Sequence, residues 1–208
     1  MTHISHSEKI LLMRIFLSVL ILIFSLQSWI KADEVNEFEI EGLSVGESLL
    51  KYLTKSEIQA RINNKNSAEY PNSYFVSINY KYKNLELYDS LGVVIKKNDK
   101  NFLIYSVEGS LYFKDNNIKK CHEKQNEISE NLNIFFGDKT SIDSYESNYV
   151  ADDTGNSKVK YIDFDFKDTS NIRLICFDLS TEINKNTPDQ LYVVANSKEF
   201  MNFLNSNM

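Results

Sequence analysis

Gly42-Leu43-Ser44-Val45-Gly46 has the spacing of a nucleophile elbow, a serine between two glycines on a sharp strand-to-helix turn. That chemistry needs an acid and then a histidine further along, at loops after parallel strands. Residues 33–208 hold one histidine, His122, and no parallel sheet is legible in the hydrophobic pattern. Ser44 has a second use. Ser44-x-x-Glu47 reads as a capping box, and Thr54-x-x-Glu57, ten residues on, reads as another. In each, the hydroxyl accepts from the backbone N–H three residues on, and the glutamate reaches back to the cap's own N–H. The expectation is two short helices meeting at Leu53-Thr54, with Leu53 stapled on Ile58. Ser44, Glu47, Thr54 and Glu57 are then caps, not catalytic groups.

The other reactive residues are few. Cys121 and His122 are adjacent, and neighbours on a helix point about 100° apart, a poor thiolate–imidazole geometry. One histidine and two separated cysteines give no zinc framework. Asp152-Asp153-Thr154-Gly155-Asn156 offers oxygens and a glycine but lacks the spacing and terminal glutamate of a calcium loop. Asp163, Asp165 and Asp168 could form a carboxylate row, yet aspartates alternating with apolar residues more often make the wet side of a strand. No catalytic residue, metal site or cofactor is assigned.

Hydrophobic periodicity supplies the elements that position these residues. Val76, Ile78 and Tyr80 alternate with polar residues between Tyr74 and Tyr82, a half-buried strand. Leu85–Lys97 and Asn101–Phe113 follow as strands, joined at the turn residues Asn98-Asp99, with Gly109 marking a bulge or a close backbone approach. Ile118, Cys121, Gln125, Ile128, Leu132 and Phe135 recur at helical spacing, capped by Asn116 or Asn117 and stopped by a left-handed Gly137. Asp138–Ser157 is polar and reads as a loop. Lys158–Phe166, Asn171–Leu179 and Gln190–Ala195 read as strands, and Ser197 caps a short closing helix. The order ααβββαβββα predicts an α+β fold: an antiparallel sheet of about six strands, with the central helix and two short N-terminal helices on one face.

Phe38 to Leu53, F-E-I-E-G-L-S-V-G-E-S-L-L-K-Y-L, resembles the opening of a family of small uncharacterised exported bacterial proteins, with the pattern F-x-I-E-G-[ML]-S-[IV]-G-[DE]-S-L-L. Leu26–Trp29, Lys31–Asp33, Ile104–Ser106, Asn117-Ile118, Cys121 and Glu127-Ile128 extend the likeness. The resemblance implies export and a shared fold, and no activity. The leader has its own signature: Lys9 and Arg14, then the 12-residue apolar run Ile15–Leu26, then the small residue Ala32. A membrane span needs about 20 apolar residues, so cleavage is expected, with retention as an anchor the alternative. Met13 is an alternative start. The expected division is a signal peptide, 1–32, and a single domain, 33–208, periplasmic or secreted.

Losing Lys9, Arg14, Lys31 and Glu8 with the leader would take the net charge of the 208-residue chain from −6 to −8. An acidic domain lacks the footprint of a nucleic-acid binder. In an oxidising compartment the only two cysteines, Cys121 and Cys176, are expected to pair; two separately buried thiols are the alternative. The functional expectation is a non-enzymatic exported module for a small ligand or an envelope protein, touching membrane only through an uncleaved leader. The alternative is a small secreted hydrolase using Ser44 or a carboxylate pair.

Overall fold

The computed structural model describes residues 34–80, 85–113, 117–184 and 188–207; the expected signal peptide lies outside them. The described chain is α+β. Its helices are α1 (Lys55–Ile62), α2 (Ile118–Phe136) and α3 (Lys198–Asn207), with one further helical turn at Thr181–Asn184. Its strands are β1 (Glu39–Ile40), β2 (Leu43–Ser44), β3 (Ala68–Glu69), β4 (Phe75–Asn79), β5 (Ser90–Lys96), β6 (Ile104–Phe113), β7 (Thr140–Asn148), β8 (Lys158–Phe166), β9 (Asn171–Asp178) and β10 (Asp189–Asn196). β1 and β2 form a ribbon of their own. The other eight make one antiparallel sheet in the order β3-β4-β5-β6-β10-β9-β8-β7, where about six strands were expected. Among the described residues no helix is long and apolar enough to cross a membrane.

The sheet is two meanders, β3–β6 and β7–β10, joined where the last strand pairs with β6. α2 makes the crossing between them. Its 19 residues span about 28 Å. The four strand steps from β6 to β7 need about 19 Å. The helix therefore crosses β6, β10 and β9 and delivers the chain to the far edge. Cys121, near its start, is bridged to Cys176 of β9, with Cα atoms 6.0 Å apart. Phe136, at its end, meets Phe166 of β8 edge to face at 5.4 Å. Gln125 lies between these anchors, fully buried, and its amide donates to the carbonyls of Lys160 and Leu174. The buried stripe ends at Phe136, and the expected Phe135 is 63 % exposed. A strict 3-4-3-4-3 spacing is a coiled-coil repeat, whereas a straight helix on a sheet keeps about 3.6 residues per turn and drifts one position over this length. Gly137 stays right-handed, at φ −52° and ψ −38°, so the expected left-handed stop does not form.

β7 went unread in the sequence because it has no buried side. Eight of its nine residues are exposed. It is an edge strand, and one of its backbone donors, the Ser144 N–H, is taken by the Asp143 carboxylate, which blunts the edge.

The opening of the domain corrects the first capping box. Ser44 pairs with Glu39 in the β1–β2 ribbon and caps no helix. The two-residue turn between the strands is Glu41-Gly42, both at positive φ (52° and 78°), the type I′ geometry of tight hairpins. Gly46 stands where the second helical residue would have been and has φ 85°, which a right-handed helix cannot contain. Ser48 is the cap instead, for the short 3₁₀ turn Leu49–Lys51. Glu47 is drawn to Lys51 and to the Tyr52 hydroxyl, which hold its carboxyl below the ordinary range, and its carboxyl also meets the Ser44 hydroxyl. The second box forms in full: Thr54 Oγ1 accepts from the Glu57 N–H, and the Thr54 N–H donates to Glu57 Oε2 at 2.8 Å.

Ile40, Leu43, Val45, Leu49, Ile58 and Ile62 pack with the inward residues of β4–β6 and β8–β10 and with α2, so ribbon, α1 and α2 cover one side of the sheet. Gly109 is the close-approach position: a Cβ there would stand 2.7 Å from the Tyr88 ring and 2.9 Å from Ile40. α3 lies on the opposite side, where Phe200 and Phe203 meet Phe75 and Tyr70, and Lys96 pairs with Glu199 beneath the Tyr105 ring.

Glu41 does more than turn the ribbon. Its carboxylate accepts from the backbone N–H groups of Glu86, Leu87 and Tyr88, tying down the approach to β5. Desolvation opposes its ionisation, but these three donors outweigh it and hold the carboxyl below its ordinary value. A lowered folded-state pKa contributes stability that is present above the unfolded value and is lost as pH falls through the folded one. The protection factors of the Leu87 and Tyr88 amides should therefore fall as pH drops through the lowered carboxyl pKa, and Glu41→Ala should lower them at neutral pH. Equal protection in wild type and variant at pH 7 would show that the carboxylate does not hold the loop.

Candidate functional site: a polar cleft at Arg61

Arg61 sits in the last turn of α1, where Ile58 and Ile62 are buried and turn it toward the end of β4. Its Nη1 donates to the Asn79 carbonyl at 3.0 Å, and its guanidinium lies over the buried Tyr80 ring, 5.5 Å from the centroid. These contacts fix the group at the wall of a cleft of about 380 Å³. The loop after α1 continues that wall with Asn64, Asn66 and Ser67, and it is shaped by its own bonds: Asn66 N–H to Asn64 Oδ1, and the Ser67 hydroxyl to the carbonyls of Ile62 and Asn64. Asn79, Ser90, Leu91 and Tyr112 form the other wall, with the Ser90 and Tyr112 hydroxyls 2.9 Å apart.

Charge sets this cleft apart. Among the described residues Arg61 is the one charged side chain of its lining, in an acidic chain. Among the described residues no carboxylate is within ion-pair distance of it. Glu57, one turn back, feels its charge, but Glu57 Oε2 is committed to Thr54. Residues 33–208 contain only one other arginine, Arg173, and that one is neutralised: Nε and Nη2 grip both oxygens of Asp163 at 2.8 and 2.7 Å. A hollow of about 450 Å³ beside the start of α3 has Lys198 and Glu199 on its wall, Glu199 already paired with Lys96. A third, about 490 Å³, runs along the ion-paired wet side of α2.

The carboxylates flagged in the sequence are held by structural partners. Asp163 is bound by Arg173. Asp165 ends a hydrogen-bonded row across four strands: Ser106 hydroxyl to Asn196, Asn196 amide to Asn171, Asn171 amide to Asp165. Asp168 accepts from the Ser170 N–H and hydroxyl in the β8–β9 turn. Asp152 accepts from Thr154 and Ser157, backbone and hydroxyl alike, which holds its carboxyl far below the usual range and occupies the oxygens a calcium ion would use. Cys121 is in the disulfide, so it offers no thiolate to His122. Among the described residues no three His, Cys, Asp or Glu side chains could hold a metal ion.

Two residues escaped the sequence reading. Arg61 carried no motif; its signal is only that arginine is rare in this chain. Glu108 is a strand residue on the α3 side of the sheet, over Gly92, where burial pushes its carboxyl up against the smaller opposing effect of the Ser110 hydroxyl at 3.3 Å. Its hydrogen-bond partner among the described residues is that serine, not a base. Comparison of the chain with protein-family models, with curated proteins and with solved structures finds no match.

Proposed function

We propose that residues 33–208 are an exported, non-enzymatic binding module that takes a small ligand in the cleft at Arg61. The carrying observation is a positioned arginine which, among the described residues, has no carboxylate partner and stands on the wall of a cleft otherwise lined by amides, hydroxyls and Leu91. A cavity of this size falls within the usual range for small-ligand sites, roughly 300–1,000 Å³. Export is supported by the leader pattern and by a disulfide, a bond that persists in oxidising compartments. A small ligand is favoured over an envelope protein because the polar groups converge on a concavity. A hydrolase is disfavoured by geometry: Ser44 is 6 % exposed in a strand, beside a Glu47 that is itself held by Lys51 and Tyr52, and Asp163 is ion-paired.

The test is an NMR screen of the purified protein against pools of sugars, organic acids and amino acids. The expected result is shift changes clustered on Arg61, Asn66, Asn79 and Tyr112, abolished by Arg61→Ala in a variant that still melts cooperatively. Changes clustered around Glu108, or a full response from the Arg61 variant, would place binding elsewhere.

A further inference from the structure

The lining chemistry narrows the ligand class, on the reading that the cleft binds one. A guanidinium has five N–H donors, and one of Arg61's is engaged by the Asn79 carbonyl. The remaining fork matches the two oxygens of a carboxylate. Among the described lining residues a single cation and no acid suit a single negative charge. The rest of the wall asks for something else. Asn66 and Asn79 carry side-chain amides, and Ser90 and Tyr112 carry a paired hydroxyl couple. Amides and hydroxyls both donate and accept, which is the complement of hydroxyl groups rather than of a second charge. Tyr112, 41 % exposed, adds a ring on which the C–H side of a sugar can pack.

We infer that the ligand is a sugar acid, a mono- or disaccharide with one carboxylate, seated with the carboxylate on Arg61 and its hydroxyls against Asn66, Asn79 and the Ser90–Tyr112 pair. A short aliphatic acid would use only the arginine. A phosphate would bring more negative charge than one cation matches. A neutral sugar would leave the guanidinium fork empty.

The experiment titrates the purified protein with D-glucuronate, D-glucose, acetate and glucose 6-phosphate, reading affinity and the side-chain ¹⁵N resonances of Arg61, Asn66 and Asn79. Glucuronate should bind at least about tenfold tighter than each of the other three, the scale of one charge-assisted contact (about 1.4 kcal/mol per tenfold). Arg61→Gln should remove that advantage, bringing glucuronate no tighter than glucose. Asn66→Ala, whose side chain makes no hydrogen bond among the described residues, should weaken glucuronate several-fold without moving the melting temperature. Glucose, acetate or glucose 6-phosphate binding as tightly as glucuronate would overturn the sugar-acid assignment while leaving the cleft a ligand site. No response at the cleft to any probe would overturn both. Should Arg61→Gln fail to fold, unchanged glucuronate affinity in Asn66→Ala is itself the overturning result.

Discussion

Reducing the Cys121–Cys176 bridge, or replacing both cysteines by alanine, is expected to lower the unfolding free energy by about 4 kcal/mol. The bridge joins residues 55 apart, and the chain-entropy model gives a loop of that length about that value. Its position adds to the expectation. Both half-cystines are fully buried, and together they fix the first turn of α2 to β9, the neighbour of the strand that joins the two meanders. A domain of this size has roughly 5–15 kcal/mol in total. Reductant should therefore shift the denaturant midpoint markedly, and the part lost first should be the packing of α2 on β9 and β10. Urea titrations with and without dithiothreitol make the measurement. A difference below about 1 kcal/mol would mean that the rest of the core already confines the unfolded chain or holds α2 unaided.

Arg173→Met is expected to cost about 3 kcal/mol, because it strands a charge. Asp163 is 6 % exposed in its side chain, and Arg173 is its ion-pair partner. Burial works against the charged guanidinium, but Asp163 outweighs it and raises the Arg173 pKa above the ordinary arginine value. Breaking a buried pair from one side typically costs about 3–5 kcal/mol. The lower figure applies here because the arginine side chain is 29 % exposed and water reaches one end of the pair. The guanidinium also lies over the Tyr161 ring, which is stacked on Tyr145 at 4.8 Å, so that aromatic pair should loosen as well. Changing both residues to apolar ones of similar volume should recover most of the loss, since the desolvation cost disappears with the charges. A double-mutant cycle separates the two outcomes. A coupling energy near zero would show that the pair is incidental.

The α2 stripe was legible because a helix on a sheet repeats its buried residues at about 3.6, and Ile118, Cys121, Gln125, Ile128 and Leu132 keep that spacing without help from the rest of the chain. Thr54 and Glu57 were legible for a similar reason, since a capping box is closed within four residues. Ser44 and Glu47 have the same letters and failed. Two glycines at positive φ and a strand partner, Glu39, took the segment into a ribbon, and letters alone do not say which local bond wins.

The amino-acid sequence by itself determined the α+β class, the central helix, most strands, and which two cysteines could pair, because each rests on short-range periodicity or on a count. Tertiary structure decided the rest. β7 became a strand through its ladder with β8, not through any burial of its own. α3 went to the opposite side of the sheet because Phe75, Val94 and Tyr105 turn that way on β4, β5 and β6. The cleft depends on contacts between residues far apart in sequence: Arg61 reaches the carbonyl of Asn79, 18 positions away, and Ser90 meets Tyr112, 22 positions away. Hydrophobic periodicity reports which side of one element faces the core. It carries no record of which polar side chains several elements will bring to the same edge.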